Sequence, residues 1–520
     1  MRTFIFAIGG TGARFLRSLT MLLASGCKDT KVADEIVPII IDYDATNGDT
    51  DRTQALLELY QNINRAVYTR GDQVRESFFC TPVVKLKELF AGDGFDSKTK
   101  FEVAITHEKG KDTFADHIQM ATLGDGNGTL PTRHLLEILY DNSPETSKTT
   151  ELNLDLGVGF KGCPNIGCVV TKSLENSVEL QKFFHAVNPA SGDKILIVGS
   201  IFGGTGASGI PMLLDMIRER PNLQGCSVGV IAVTPYFKVA PDKDSAINSD
   251  SFTAKTKAAL DAYSLGKSVN KQADAVYYVG DSYLPGAFEN SEGGATQKNN
   301  AHVVELVAAM EAMHFMNTAF DHSLEADAVA HEFGFKPVTS REEHNEAVDK
   351  YTLGYSRFYK EETLEPYIYP LARLMLFSKF CKDYLLNAGD GENRDTWLRN
   401  TNLSQENAFK KNLADFASSF VKWIDELEDS RTKRGLKLFN TANDYDNIFA
   451  GIETAQAVAI VLNTLFVSNK KIREALTNEW VANTDRGKKA VAKPRSFFMA
   501  SIDKVLKEIF EDILRRNAEK

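Results

Sequence analysis

The chain opens on a tight alternation of apolar and polar runs. Residues 3–8 are almost wholly apolar, and Phe15, Leu16, Leu19, Leu22 and Leu23 then recur at helical spacing over residues 14–24. Residues 36–41 form a nearly continuous run of Ile and Val, the pattern of a strand buried on both faces of a parallel sheet. Residues 1–60 are therefore predicted to run strand, helix, strand, helix. From about 60 to 154 the pattern loosens, and Gly-rich polar stretches such as 124–128 alternate with short helical segments. Order returns with a helix near 174–187 and an apolar strand at 195–198. Residues 301–320 are apolar around almost the whole helical circumference, interrupted by His302, Glu305, Glu311, His314 and Asn317. That predicts a buried helix rather than an amphipathic surface one. Beyond about 340, Phe416, Phe420, Trp423, Ile424 and Leu427 recur at helical spacing, as do Ile502, Val505, Leu506, Ile509, Phe510, Ile513 and Leu514. With a further helix predicted over 444–468 and a turn at 389–393, the C-terminal third reads as mainly α-helical.

Two glycine-rich loops punctuate this pattern at equivalent places. Gly9-Gly10-Thr11-Gly12-Ala13 closes the first apolar run, and Gly203-Gly204-Thr205-Gly206-Ala207-Ser208-Gly209 follows the strand at 195–198. Each reads as a strand turning through glycines into a helix, which points backbone N–H groups and the positive end of a helix dipole at an anion. Two such loops aimed at one spot would wrap a polyphosphate from two sides. Taken singly, each also suits a tight turn or close helix–strand packing. Neither common fingerprint fits. G-x-G-x-x-G counted from Gly10 places bulky Phe15 where a small residue allows helix–strand packing. G-x-x-x-x-G-K-[ST] fails because neither loop carries the lysine.

The second loop carries a resemblance. Gly203 to Gly209 resembles the GGGTG[ST]G phosphate loop of the tubulin and FtsZ superfamily, with Phe202 in place of the leading glycine and Ala207-Ser208 after the Thr-Gly pair. Other pieces follow in that family's order: Gly9 to Ala13 as a first nucleotide loop, residues 36–47 as the second strand and its loop, residues 228–237 with Thr234 as the next, and 274–281 as a further strand. The resemblance covers roughly residues 1 to 330. It implies an α/β fold: a tubulin/FtsZ-like Rossmannoid nucleotide-binding domain over 1–335, with a parallel sheet, a central buried helix and an insertion at 60–155. A mainly helical C-terminal domain over 340–520 follows, where the resemblance stops. The Gly-rich stretch 157–167 falls where the family contacts the terminal phosphate, and it equally suits a plain connection between elements.

The resemblance further implies GTP or GDP as ligand, with Gly9, Gly10, Thr11, Gly12, Ala13, Gly203, Gly204, Thr205, Gly206, Ala207 and Thr234 around it. Asp42, Asp44 and Asn47 are candidates for holding Mg²⁺ through water, Asp44 foremost, since that ion keeps much of its hydration shell; Asp44 and Asn47 equally suit the turn after the strand. At the start of the buried helix, His302 could stack on guanine and Glu305 could accept from its N1–H and N2–H₂ donors. Both could instead cap the helix. Asp321, Glu325 and Asp327 follow the helix where family members place acidic residues that position water on the next subunit's nucleotide. They do not reproduce the family's spacing, and they equally read as solvated helix charges.

Composition narrows the classes. A chain of 520 residues exceeds one ordinary core, so two or three domains are expected. The formal net charge of −10 speaks against a dedicated nucleic-acid binder. Six cysteines without a CxxC pair point to a reduced cytosolic setting, with Cys163 and Cys168 read as loop cysteines rather than half a zinc set. The apolar start is short for a signal peptide and no run reaches membrane-spanning length, so a cytoplasmic protein is expected. Three functions stand in view. The first is a bacterial tubulin-like GTPase that self-assembles. The second is a nucleotide-binding scaffold or switch without hydrolysis, its helical region docking partners in a multi-gene, defence-type system. The third is a nicotinamide-dependent oxidoreductase with Asp42 on the ribose, which leaves the second loop without a role.

Overall fold

The structure is a computed structural model that describes residues 1–27, 35–44, 47–70, 74, 76–90, 101–103, 105, 107, 111–140, 151–240, 249–265, 268–281, 287–288, 299–320, 330–334, 363–386, 395, 397–398, 403–427, 438–439, 468–483 and 493–518. Six strands make one wholly parallel sheet: β1 (Arg2–Ile8), β2 (Glu35–Ile41), β3 (Lys194–Ser200), β4 (Ser227–Val233), β5 (Ala275–Val279) and β6 (His331–Phe333), in the order β2-β1-β3-β4-β5-β6. The apolar run at 36–41 is the strand it predicts, buried along its length. The fold class is α/β with a helical C-terminal part.

Parallel strands require crossovers, and helices cover both faces. One face carries α1 (Gly9–Ala24), α2 (Gly48–Val67) and α6 (Val303–Asn317). The other carries α3 (Pro164–Lys172), helix Val178–Ala186, α4 (Gly204–Arg218) and α5 (Phe252–Ser264). The helix α6 is buried between the sheet and the surrounding helices, with Val304, Leu306, Ala308, Ala309, Ala312, Met313 and Phe315 fully enclosed. Lys194 at the start of β3 closes its far end, donating from Nζ to the carbonyls of Phe315, Met316 and Thr318 at 3.1, 2.9 and 2.7 Å. Those carbonyls are the acceptors a helix C-terminus leaves unpaired.

The loosely patterned stretch after α2 runs along the β2 edge. Val83 bridges to Ile36 and Glu102 to Ile40, both parallel, so part of the segment read as an insertion covers an otherwise open sheet edge. The helices α7 (Tyr369–Phe380), α8 (Asn407–Leu427) and α9 (Pro494–Ala518) stack over α1 and α2. Phe377 stacks on Phe78 at 5.0 Å, and Phe416 meets Phe79 edge-on at 4.8 Å. Trp423 Nε1 donates to Ser18 Oγ at 3.2 Å. One hydrophobic cluster therefore runs from the sheet through α1 into the C-terminal helices. The helix predicted at 444–468 and the turn at 389–393 lie outside the described residues, apart from Ser468.

Candidate functional site

The two glycine loops follow β1 and β3, and these strands are neighbours, paired from Thr3–Lys194 to Ala7–Val198. Adjacent parallel strands end at the same sheet edge about 4.8 Å apart, so sequence-distant loops are brought together there. The helices leaving them, α1 and α4, depart to opposite faces of the sheet, which opens a crevice at the strand ends, where open α/β sheets bind ligands. A Cβ on Gly9 would sit 3.7 Å from Thr205 Cβ, so the loops touch.

Neither helix carries a side-chain cap or an acidic residue in its first turn. The first-turn N–H groups of Gly9, Gly10 and Thr11, and of Gly204, Thr205 and Gly206, have no intrahelical acceptor. By contrast α2 is capped by Asn47, whose Oδ1 accepts from Asp49 N at 2.9 Å. A cleft of about 190 Å³ opens between the two loops. Its wall includes Gly9, Gly10, Thr11, Asp42, Asp44, Asn47, Gly203, Gly204, Thr205 and Gly206, all anticipated from sequence. Val158 to Gly162 from the glycine-rich stretch complete it on one side.

The acidic group at the end of β2 is tightly organised. Asp42 Oδ1 accepts from Asp44 N at 3.1 Å, and Oδ2 accepts from Asn47 Nδ2 and Thr50 Oγ1 at 3.0 and 3.2 Å. Burial, reinforced by the neighbouring Asp44 carboxylate, pushes the Asp42 pKa up to about 7. Asp42 and Asp44 line the cleft together beside the glycine loops, where their carboxylates could hold a divalent cation. Among the described residues no group of three metal-ligating side chains occurs.

Several anticipated residues stand elsewhere. Gly12 is absent from the cleft wall and serves packing: a Cβ there would lie 2.5 Å from the Ala7 carbonyl carbon. Ala13 is buried in the core, and Ala207 faces a second cavity between α3, α4 and α5. Thr234 packs against Gly280, whose missing side chain makes room for its hydroxyl. His302 and Glu305 form a capping box at the start of α6. His302 Nδ1 accepts from Val304 N at 3.2 Å and its ring packs on Tyr236 at 5.0 Å. Burial and the nearby Arg14 push its pKa down to about 4, which keeps the imidazole neutral as that acceptor role requires. Glu305 is 1% exposed: Oε1 accepts from Arg14 Nε at 2.6 Å and Tyr236 Oη at 2.8 Å, and Oε2 from His302 N at 3.1 Å. Its oxygens are engaged by protein donors inside the molecule, so it does not present a base-reading edge to the cleft. Asp321, Glu325 and Asp327 lie outside the described residues.

Other wall residues were not among those expected from the sequence. Phe202, Phe237 and Phe252 form an aromatic cluster on one side, with centroids 4.9 to 6.1 Å apart. Asn299, just before α6, lines the cleft while its backbone N–H donates to Asp49 at 3.2 Å. Lys255 reaches in from α5. Phe202 and Phe237 fall in stretches that carry the resemblance, whereas no run or motif marks Phe252, Lys255 or Asn299, which belong to the site only through the packing of their elements.

No family model and no curated relative matches the chain. Among solved structures, CetZ from Methanosaeta thermophila strain DSM 6194 is similar at 12% identity with a TM-score of 0.28, covering 63% of this chain and 57% of that one. The match thus spans little more than half of CetZ, and the likeness is distant. Among the described residues no helix is long and apolar enough to cross a membrane.

Proposed function

We propose that this protein binds a nucleoside triphosphate in the cleft between its two glycine loops, with GTP as the ligand and Mg²⁺ at Asp42 and Asp44. The observation that carries the reading is the pair of uncapped helix N-termini, α1 and α4, opening from neighbouring strands onto one cleft. Each supplies first-turn N–H donors and a positive dipole end, and two together suit a chain of phosphates better than a single small anion. The preference for guanine rests on the resemblance of the second loop to the tubulin and FtsZ phosphate loop. Hydrolysis, with Asp321, Glu325 and Asp327 acting on a neighbouring subunit's nucleotide, and self-assembly belong to the same proposal. Positioning and charge stabilisation by the loop N–H groups would supply the catalysis; Mg²⁺, when bound, would neutralise phosphate charge.

A nicotinamide-dependent role is weaker, since it leaves the second glycine loop, which lines the same cleft, without a role. Chromatography of the nucleotide extracted from purified protein, with titration by GTP, ATP and NAD, tests the proposal. Extraction or tight binding of GTP or GDP is expected, and binding of NAD alone, or of nothing, would overturn it. For hydrolysis in trans, turnover should rise more steeply than linearly with protein concentration.

A further inference from the structure

The glycine loops lack the lysine that phosphate loops commonly carry, and the tertiary structure brings one to the cleft from elsewhere. Lys255 lies in the second turn of α5 and lines the cleft with Gly162, Gly204 and Phe252. A Cβ on Gly162 would meet Lys255 Nζ at 2.5 Å. The ammonium therefore rests against bare backbone, at a residue whose φ of +81° already calls for glycine. Among the described residues no carboxylate lies within ion-pair distance of Lys255. Its other side borders the apolar cavity between α3, α4 and α5, lined by Ala258, Ala259 and Ala262, so the aliphatic stem is sheltered and the charged head is the part left for a polar partner.

Two further cations stand on the wall, Lys161 in the glycine-rich stretch and Arg14 on α1, and Arg14 is already committed. Arg14 is 4% exposed, with Nε on Glu305, Nη1 on Asp49 and Nη2 on Thr11 and Tyr236. The ends of the cleft also differ. Gly10 neighbours Asn47 and Arg14, Gly9 touches Thr205, and Gly204 abuts the backbone nitrogens of Gly162 and Cys163, beside Lys255. A phosphate chain laid across both cradles from the α1 side thus ends at the ammonium. We infer that Lys255 binds the terminal phosphate of the nucleoside triphosphate and makes the cleft discriminate triphosphate from diphosphate. This rests on the nucleotide reading above. A lysine used in this way is a compact point charge with three rotatable donors, and its contact with a phosphate oxygen is a charge-assisted hydrogen bond.

The test is titration calorimetry of full-length wild type, Lys255→Met and Lys255→Arg with GTP, GDP and guanosine, in Mg²⁺, at two ionic strengths. Lys255→Met is expected to weaken GTP binding by about 10- to 100-fold, the range of one hydrogen bond to a charged group. GDP and guanosine affinities should change by less than about threefold, and the salt dependence of GTP binding should become shallower. Lys255→Arg should retain most of the GTP affinity, and ligand-free melting curves of both variants should match wild type. A Lys255→Met protein that keeps the wild-type ratio of GTP to GDP affinity, while binding both, overturns the assignment and leaves the nucleotide reading standing. Wild type that binds no nucleotide overturns both.

Discussion

At the residue scale, the most constrained charges surround Arg14. Burial disfavours its guanidinium charge, yet Tyr236, Glu305 and Asp49 together hold it protonated. Breaking a buried pair from one side leaves an uncompensated charge and costs about 3–5 kcal/mol. Glu305→Ala is therefore expected to lower unfolding free energy by about that amount in urea titration, without shifting any preference between GTP and ATP; a shift in base preference at unchanged stability would return Glu305 to the ligand. Asp42 makes the opposite kind of prediction. Its pKa is raised by burial and by Asp44 to about 7 in the folded protein, from an unfolded value of 3.8. The folded state binds more protons across that interval, so this group's contribution is full below the unfolded pKa and is lost as pH rises through about 7. Measured by denaturant unfolding without Mg²⁺, the stability of Asp42→Asn relative to wild type should increase from pH 4 to pH 7 and level off above it. A flat difference would refute the coupling.

At the element scale, the glycines divide by what they neighbour. Gly206 sits where a Cβ would fall 2.2 Å from the Ser200 carbonyl oxygen, and Gly12 where it would fall 2.5 Å from the Ala7 carbonyl carbon. Both let a helix lie directly on the strand that precedes it, and backbone on the other side cannot yield as a flexible side chain would. Gly225, in the turn before β4, has nothing within 4 Å of its Cβ position. Gly206→Ala and Gly12→Ala should each destabilise by about 1–3 kcal/mol or more, whereas Gly225→Ala should stay within about 0.5 kcal/mol, all read from denaturant midpoints. The glycine-rich loops were legible as strand-to-helix turns because they terminate apolar runs. Which glycine faces the cleft and which packs on a neighbour was not legible, because that depends on the strand each helix crosses.

At the scale of the whole molecule, the C-terminal helices are fastened to the elements around the cleft. Glu426 on α8 accepts from Arg17 of α1 at 2.5 Å, from Arg52 of α2 at 3.2 Å and from Ala301 N, just before α6, at 2.9 Å. The α1 and α2 faces under Phe377, Phe416 and Trp423 are apolar and enclosed. A fragment ending at residue 335 would expose that surface and strand Arg17 without its carboxylate. It should aggregate or bind a hydrophobic dye strongly; a monomeric fragment that unfolds cooperatively would contradict this. The same fastening brings α8 onto residues next to Asn299, so cleft and helical region share one charge network.

Local geometry was written in the residues: buried parallel strands from continuous Ile and Val runs, an enclosed α6 from an all-round apolar segment, and two glycine turns from strand into helix. These follow from periodicity within a few residues and from the absence of a Cβ at glycine. The folded arrangement settled the rest: β1 lies beside β3, Arg14 takes the carboxylate of Glu305, and a lysine from α5 enters the cleft. Each of those is a choice of partner made across long loops, where nothing local to either residue specifies the other.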